Sequence, residues 1–185
     1  MRRVLITAHP DDEILWCGGI LQRFEWDVIC CSIPRRDPIR AWKFHEAVKT
    51  VGATPKLFPA VEPHPSESIP YLENIDLEEY DHILTHNQWG EYGHKHHVDV
   101  HNYVVSKYQH KKLSFIGYRK DGVGKQTIKL SPDELGIKLN ALKKYDHCLP
   151  YGNGNPPKWE ALLHRYCTEG GLDIATETYD GDVIA

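Results

Sequence analysis

The sequence predicts an α/β protein, a Rossmann-like three-layer α/β/α arrangement around a mostly parallel sheet. Three observations carry the prediction. Short apolar runs rich in Val, Ile and Leu alternate with helical patterns along the chain. The runs are nearly continuous, as in parallel strands covered on both faces. Two of them end in a histidine, where open α/β sheets bind their ligands, at the carboxyl ends of strands.

The first strand is Val4 to Ile6, ended by Pro10, which lacks an N–H and pushes His9 into an extended conformation. Asp11 and Asp12 suit the N-cap and first turn of a helix from Glu13 to Trp26. Gly18 and Gly19 interrupt that helix at a cost of about 1 kcal/mol each relative to Ala, so close packing against the sheet is expected there. A second strand is read at Asp27–Ile33. Pro34, Arg35 and Arg36 then lead into a helix through Ala41 and Val51, closed by Gly52. Pro55–Pro59 supplies a third strand, and the Pro- and Glu-rich stretch 60–79 reads as a loop. The fourth strand, Tyr80–His86, is followed by the loop NQWGEYG and a helix over Val98–Tyr108. A fifth strand is expected at Leu113–Tyr118, a turn at Asp121–Gly124 and an edge strand at Thr127–Leu130. Ser131-Pro132-Asp133-Glu134 is a capping box with Pro at the first helical position, opening a helix to about Tyr145. A glycine-rich loop at Tyr151–Asn155 precedes a last helix near Lys158–Cys167, and the tail from Asp173 is acidic with no element assigned.

At 185 residues the chain fits a single domain, 1–185, with no linker or repeat. No apolar run is long enough to span a bilayer, and the stretch after Arg2 and Arg3 is too short for a signal peptide. Five cysteines, odd in number and without a CxxC pair, argue against a disulfide framework and a thiolate zinc site. A cytoplasmic protein is expected. A net charge of -4 without a basic stretch excludes a nucleic-acid footprint. Oligomeric state leaves no trace in the sequence.

Chemistry concentrates in two places. At His9-Pro10-Asp11-Asp12-Glu13 the local pattern fits either a helix start or a metal or acid/base site. In His94-Lys95-His96-His97, His94, His97 and His101 are spaced three and four apart, which in a helix gives one shared face. Histidines at that spacing are more often surface decoration than ligands. Both clusters follow strands expected to be parallel, however, so both loops emerge at the same edge. Two histidines and a carboxylate around an open position is the catalytic zinc arrangement, which supports hydrolysis by a bound water. Asp11 is the candidate general base and His94 the candidate group for the oxyanion and leaving amine. Iron fits the same donor set.

AHPDDE after the first strand and a GHxxH segment after the fourth resemble the PIG-L/LmbE-like de-N-acetylases. LWCGGIL, AVKTVGA after Arg40, THNQWGEYGH, IKLSPDELGIKLNALKKY and ATETY extend the resemblance over most of the chain. It implies a zinc enzyme that removes acetyl from N-acetylglucosamine-type sugars or sugar conjugates. Matched by position, the metal ligands are His9, Asp12 and His97, the general base is Asp11, the oxyanion-side residue is His94, and Arg40 lies near substrate. Departures from the pattern bear on substrate more than on reaction. His96 stands where the family has the carboxylate or amide that orients His94, with Asp99 as the alternative carboxylate. Trp16 replaces a small residue, read as core filler. Lys43 replaces a glutamate, and Asp146-His147-Cys148 replaces a Ser-Gln ending. The His96 departure motivates a second reading: a module that kept the metal, binds a sugar or metabolite, and turns over weakly.

Overall fold

The computed structural model describes residues 1–32, 38–57, 73, 76–119, 124–146 and 172–183. The elements are β1 (Arg3–Thr7), α1 (Asp12–Cys17), β2 (Trp26–Cys30), α2 (Pro38–Thr50), β3 (Thr54–Leu57), β4 (His82–Thr85), a one-turn α3 (Gly90–Gly93), α4 (Lys95–Tyr108), β5 (Lys112–Ile116), β6 (Gln126–Lys129), α5 (Pro132–Leu142) and β7 (Thr176–Asp180). The strands form one sheet in the order β3-β2-β1-β4-β5-β7-β6. The first five are parallel, and β7 runs antiparallel to both β5 and β6.

Period-two alternation along β1 divides the core. Leu5 joins Val28, Phe44, Val48, Ala141 and Leu142 on the face covered by α1, α2 and α5, while Val4 and Ile6 join Ile29, Val100 and Val104 on the face covered by α4. The three-layer α/β/α architecture follows, because each strand must bury both faces. Among the described residues no helix is long and apolar enough to cross a membrane.

Most elements fall where the sequence puts them, including the Ser131 capping box with both of its hydrogen bonds formed. The first helix does not. It ends at Cys17, and after Gly18 and Gly19 only a 3-10 turn, Ile20–Gln22, remains of the helix expected through Trp26. The glycines are packed against more than the sheet. A Cβ on Gly19 would sit 2.2 Å from Leu130 Cδ2, and one on Gly18 would sit 2.9 Å from Lys138 Cγ.

The acidic tail also differs from its sequence reading, since it supplies β7, a strand inside the sheet. Glu177 is buried there. It accepts the N–H groups of Gly19 (2.6 Å) and Ile20 (2.8 Å), the Tyr179 hydroxyl (2.7 Å) and the Lys138 ammonium (2.7 Å). One carboxylate thus caps the turn after α1 and neutralises a buried lysine from α5, which is why an acidic strand is stable indoors. The segments predicted at 33–36, 58–72, 121–123, 151–155 and 158–167 lie outside the described residues.

Glu177→Ala leaves the Lys138 charge buried and unpaired, and costs about 3–5 kcal/mol in denaturant unfolding. The double variant Lys138→Met/Glu177→Leu stays less stable than the parent, because the Gly19 and Ile20 N–H groups still lack an acceptor. Full stability in that double variant would refute the capping role. A second expectation concerns His82. Burial, reinforced by Lys112 and Arg3, pushes its pKa down to about 4 from an ordinary 6.5. The unfolded chain therefore takes the proton first, and stability falls as pH drops from about 6.5 towards 4. His82→Gln flattens that slope in denaturant midpoints measured across the window; an unchanged slope would show that other groups govern it.

Candidate metal centre

The register Ile6↔Thr85 brings the carboxyl ends of β1 and β4 side by side. The chain passes from β1 outward to β2 and β3, then returns to β4 on the other side. The gap between β1 and β4 is therefore a topological switch point, where open sheets hold ligands. The loops after β1 and β4 meet there. Ala8 N–H donates to His86 Nε2 at 2.9 Å, joining the two strand ends.

Three atoms converge beside that contact. His9 Nδ1 lies 3.1 Å from His97 Nε2 and 3.3 Å from Asp12 Oδ2, and His97 Nε2 lies 3.2 Å from the same Asp12 oxygen. Donors bound tetrahedrally about 2.0–2.1 Å from an ion are about 3.3 Å apart, so this triangle has the edge lengths of one face of such a site. All three residues are buried.

Each donor has its other polar atom engaged. His97 Nδ1 donates to Glu91 Oε2 at 2.5 Å, which leaves Nε2 to face His9 and Asp12. Asp12 Oδ1 accepts the Trp16 indole N–H at 3.3 Å, leaving Oδ2 to face the histidines. His9 Nε2 meets His96 Nδ1 at 3.1 Å. A ring nitrogen and a carboxylate oxygen at this separation need a proton or a metal cation between them. The electrostatics agree: burial opposes charge on His97, yet Asp12 and Glu91 outweigh it and push its pKa up to about 10. Asp12, despite its burial, is held well below the carboxylate range by His97 and His9. The site attracts positive charge, and its donors fit a divalent ion.

Overlapping groupings of potential ligands exist among the described residues, His9–His94–His97 and Asp12–His86–His97. His86 is an unsuitable donor. Its Nε2 already accepts the Ala8 N–H, so its proton sits on Nδ1, donated to Glu91 Oε2 at 2.9 Å. Its ring stacks on His97 at 3.8 Å and serves as a wall. His94, half-buried, stacks on His97 and meets His9 edge-on, both with ring centroids 4.6 Å apart.

Asp11 occupies the N-cap position of α1 without capping it. Its φ of 115° is strained for a residue with a side chain, and its carboxylate pairs with the buried Arg40 guanidinium instead. Glu13, read from the sequence only as support for the helix start, accepts the Asp11 N–H at 3.0 Å and the Tyr145 hydroxyl at 2.5 Å. Burial, partly countered by Arg40, raises the Asp11 pKa to about 6. Among the described residues the only other non-glycine residue with positive φ is Glu91, at 58°. Both strained residues border the donor triangle.

Several partners escaped the sequence reading. Glu91 lies in the loop NQWGEYG, and no local signal marks it. His86 was noted at a strand end without a role, and Trp16 was read as core filler; it does stack on Tyr118 at 4.8 Å, but it also holds Asp12. Asp99 does not take the place expected of it beside His94, because both its oxygens accept the exposed Lys95 ammonium. His101 leaves the cluster, its Nδ1 donating to the His86 carbonyl at 2.8 Å.

No protein-family profile and no curated protein matches the chain in sequence. Solved structures do match in shape. A teicoplanin-pathway deacetylase triple mutant, Orf2*T, superposes with a TM-score of 0.66 at 13% identity, covering 100% of both chains. The fold is that of the LmbE/PIG-L-type deacetylases. The N,N'-diacetylchitobiose deacetylase from Pyrococcus horikoshii gives a TM-score of 0.65 at 14% identity over 97% of this chain and 82% of its own. GalB, the 4-carboxy-2-hydroxymuconate hydratase from Pseudomonas putida KT2440, gives 0.62 at 12% over 97% and 95%. The LmbE/PIG-L-type fold thus accommodates more than one chemistry, and only the site residues bear on which one this chain performs.

Glu91→Ala leaves the His86 and His97 Nδ1–H groups and the Asn87 N–H without their acceptor. At about 1–3 kcal/mol per buried unsatisfied group, the variant loses about 3 kcal/mol or more in chemical denaturation. A loss under about 1 kcal/mol would mean that Glu91 does not organise the histidines.

Proposed function

We propose that this chain is a metal-dependent hydrolase that removes the acetyl group from an N-acetylated amino sugar or sugar conjugate. The observation that carries the reading is the donor triangle of His9, Asp12 and His97, lying beside a carboxylate held by an arginine.

His9, Asp12 and His97 would hold the ion. When bound there, a divalent ion, zinc in the first instance, supplies Lewis acidity that acidifies a water and polarises an amide carbonyl. Asp11 is the general base in this reading, accepting the proton of the attacking water, and the departing nitrogen takes its proton from His94. Arg40, matched by resemblance to a substrate-side arginine, acts here on Asp11: its guanidinium fixes the carboxylate and favours its charged form. His94, the more open of the histidines, donates to the oxygen on which charge develops. Asp11 and His94 divide the proton traffic between base and acid.

An alternative is a module that binds the metal and an N-acetyl compound but turns over weakly. His96 faces His9, and Asp99 faces Lys95, so neither supplies the carboxylate expected to orient His94. The GalB likeness adds hydration as a competing chemistry for the same fold.

The test is metal analysis of purified protein, followed by an amine-release screen over N-acetyl sugars and their nucleotide and lipid conjugates. Asp11→Asn is expected to keep its metal and lose about 10²–10⁴-fold in turnover, and His97→Ala to lose the metal. Full turnover in Asp11→Asn together with full metal occupancy in His97→Ala would overturn the enzyme reading. Tight N-acetyl sugar binding with no amine released across the screen would favour the binding module.

A further inference from the structure

We propose that His96 is a positioning residue that fixes the tautomer of His9, and so determines that His9 presents Nδ1 to a metal. The inference rests on the metal-dependent reading above and assigns a role to a residue that looked, from sequence, like a missing part.

The geometry is specific. His9 is approached on both ring nitrogens: Nδ1 faces Asp12 Oδ2 and His97 Nε2, while Nε2 faces His96 Nδ1 at 3.1 Å. The two rings meet edge-on, with centroids 4.9 Å apart and planes at 73°. His96 is 1% exposed, and its position in the first turn of α4, one residue before His97, fixes its direction of approach. A neutral imidazole carries one proton and one lone pair, so the partner of one nitrogen decides the state of the other. For His9 to offer the Nδ1 lone pair to a cation, its proton must sit on Nε2 and needs an acceptor. His96 Nδ1 is that acceptor, provided that His96 carries its own proton on Nε2.

The same logic runs around the triangle. Glu91 places the proton of His97 on Nδ1, and the Trp16 indole occupies one oxygen of Asp12. Of these three outer contacts, the one to His9 is made by an imidazole, where a carboxylate or carbonyl usually orients a ligating histidine. His96 is also one of the sequence departures. Its side chain does not stand in for the residue that orients His94; it turns to the other histidine.

Packing alone predicts something different. If His96 only fills space, any well-fitting side chain serves and metal affinity is indifferent to its polarity. If it accepts the His9 proton, an acceptor is required at that point. An asparagine keeps an acceptor oxygen near the position of Nδ1, whereas alanine and leucine do not.

The experiment is zinc affinity by competition with a chromophoric chelator, for the full chain and for His96→Ala, His96→Leu and His96→Asn. Thermal unfolding of the metal-free proteins is measured in parallel. The expected result is about 10–100-fold weaker zinc binding for Ala and Leu, the usual cost of losing such a partner, with His96→Asn recovering most of that loss. The recovery should be independent of the melting temperatures. Nitrogen-detected NMR of the zinc-loaded parent is expected to find the His9 proton on Nε2. Unchanged zinc affinity in Ala and Leu overturns the role of His96 and leaves the metal site intact. Equal weakening in all three variants overturns it in favour of packing. A parent chain that takes up no divalent metal overturns the underlying reading, and this one with it.

Discussion

The donor triangle depends on the parallel pairing of β1 with β4, and on the hydrogen bond from Ala8 N–H to His86 Nε2 that extends this pairing past the last paired residues. That contact forces a chain of consequences. It places the lone pair of His86 and therefore its proton, which selects Glu91 as acceptor; Glu91 in turn accepts from His97 and leaves its Nε2 to face Asp12 and His9. The backbone of one loop thereby sets the protonation of a side chain delivered by the other. A strand pair out of register by one residue would turn these groups to opposite faces.

Buried charge is distributed with the same economy of partners. Asp12, Glu91 and Glu177 are all buried, and each accepts from at least two donors. An isolated buried carboxylate would give up its charge, and these are kept in place by convergent N–H and O–H groups. The strained backbones of Asp11 and Glu91 belong to this arrangement. Glu13 accepts the Asp11 N–H, and Glu91 accepts the Asn87 N–H, so each sharp turn is braced by a carboxylate within it or two residues away. Strain of about 1–3 kcal/mol per residue persists where the surroundings overdetermine the conformation.

The sequence carried the architecture well, for a physical reason. Strands buried on both faces read as continuous apolar runs, and capping boxes and proline breaks announce helix starts locally. It also carried the meeting of the two histidine clusters at one sheet edge, through the parallel strands they follow, while the resemblance singled out His9, Asp12 and His97 among them. What stayed hidden were interactions that join distant segments through polar atoms. Glu91 has no periodicity to betray it. Glu177 sits in an acidic tail whose sequence assigns it no element until Lys138, 39 residues earlier, is seen against it. Trp16 has the composition of a core residue and is one, and its indole N–H does the rest. The helix expected through Trp26 failed because each glycine lets another segment approach, which no local pattern records.

The position of β7 carries a consequence for the order in which the molecule can be made. As the chain leaves the ribosome, the loop after β1 and α1 emerge well before the acceptor that caps the turn behind α1, which is Glu177, more than 150 residues later. Among the described residues β6 pairs only with β7, so it too waits for residues 176–180 before it enters the sheet. Contacts of such long sequence separation close late, because the loop entropy must be met before they form. The loop that carries His9 and Asp12 is therefore made well before β7 and, with its support from β7, is among the last to be held in its final shape.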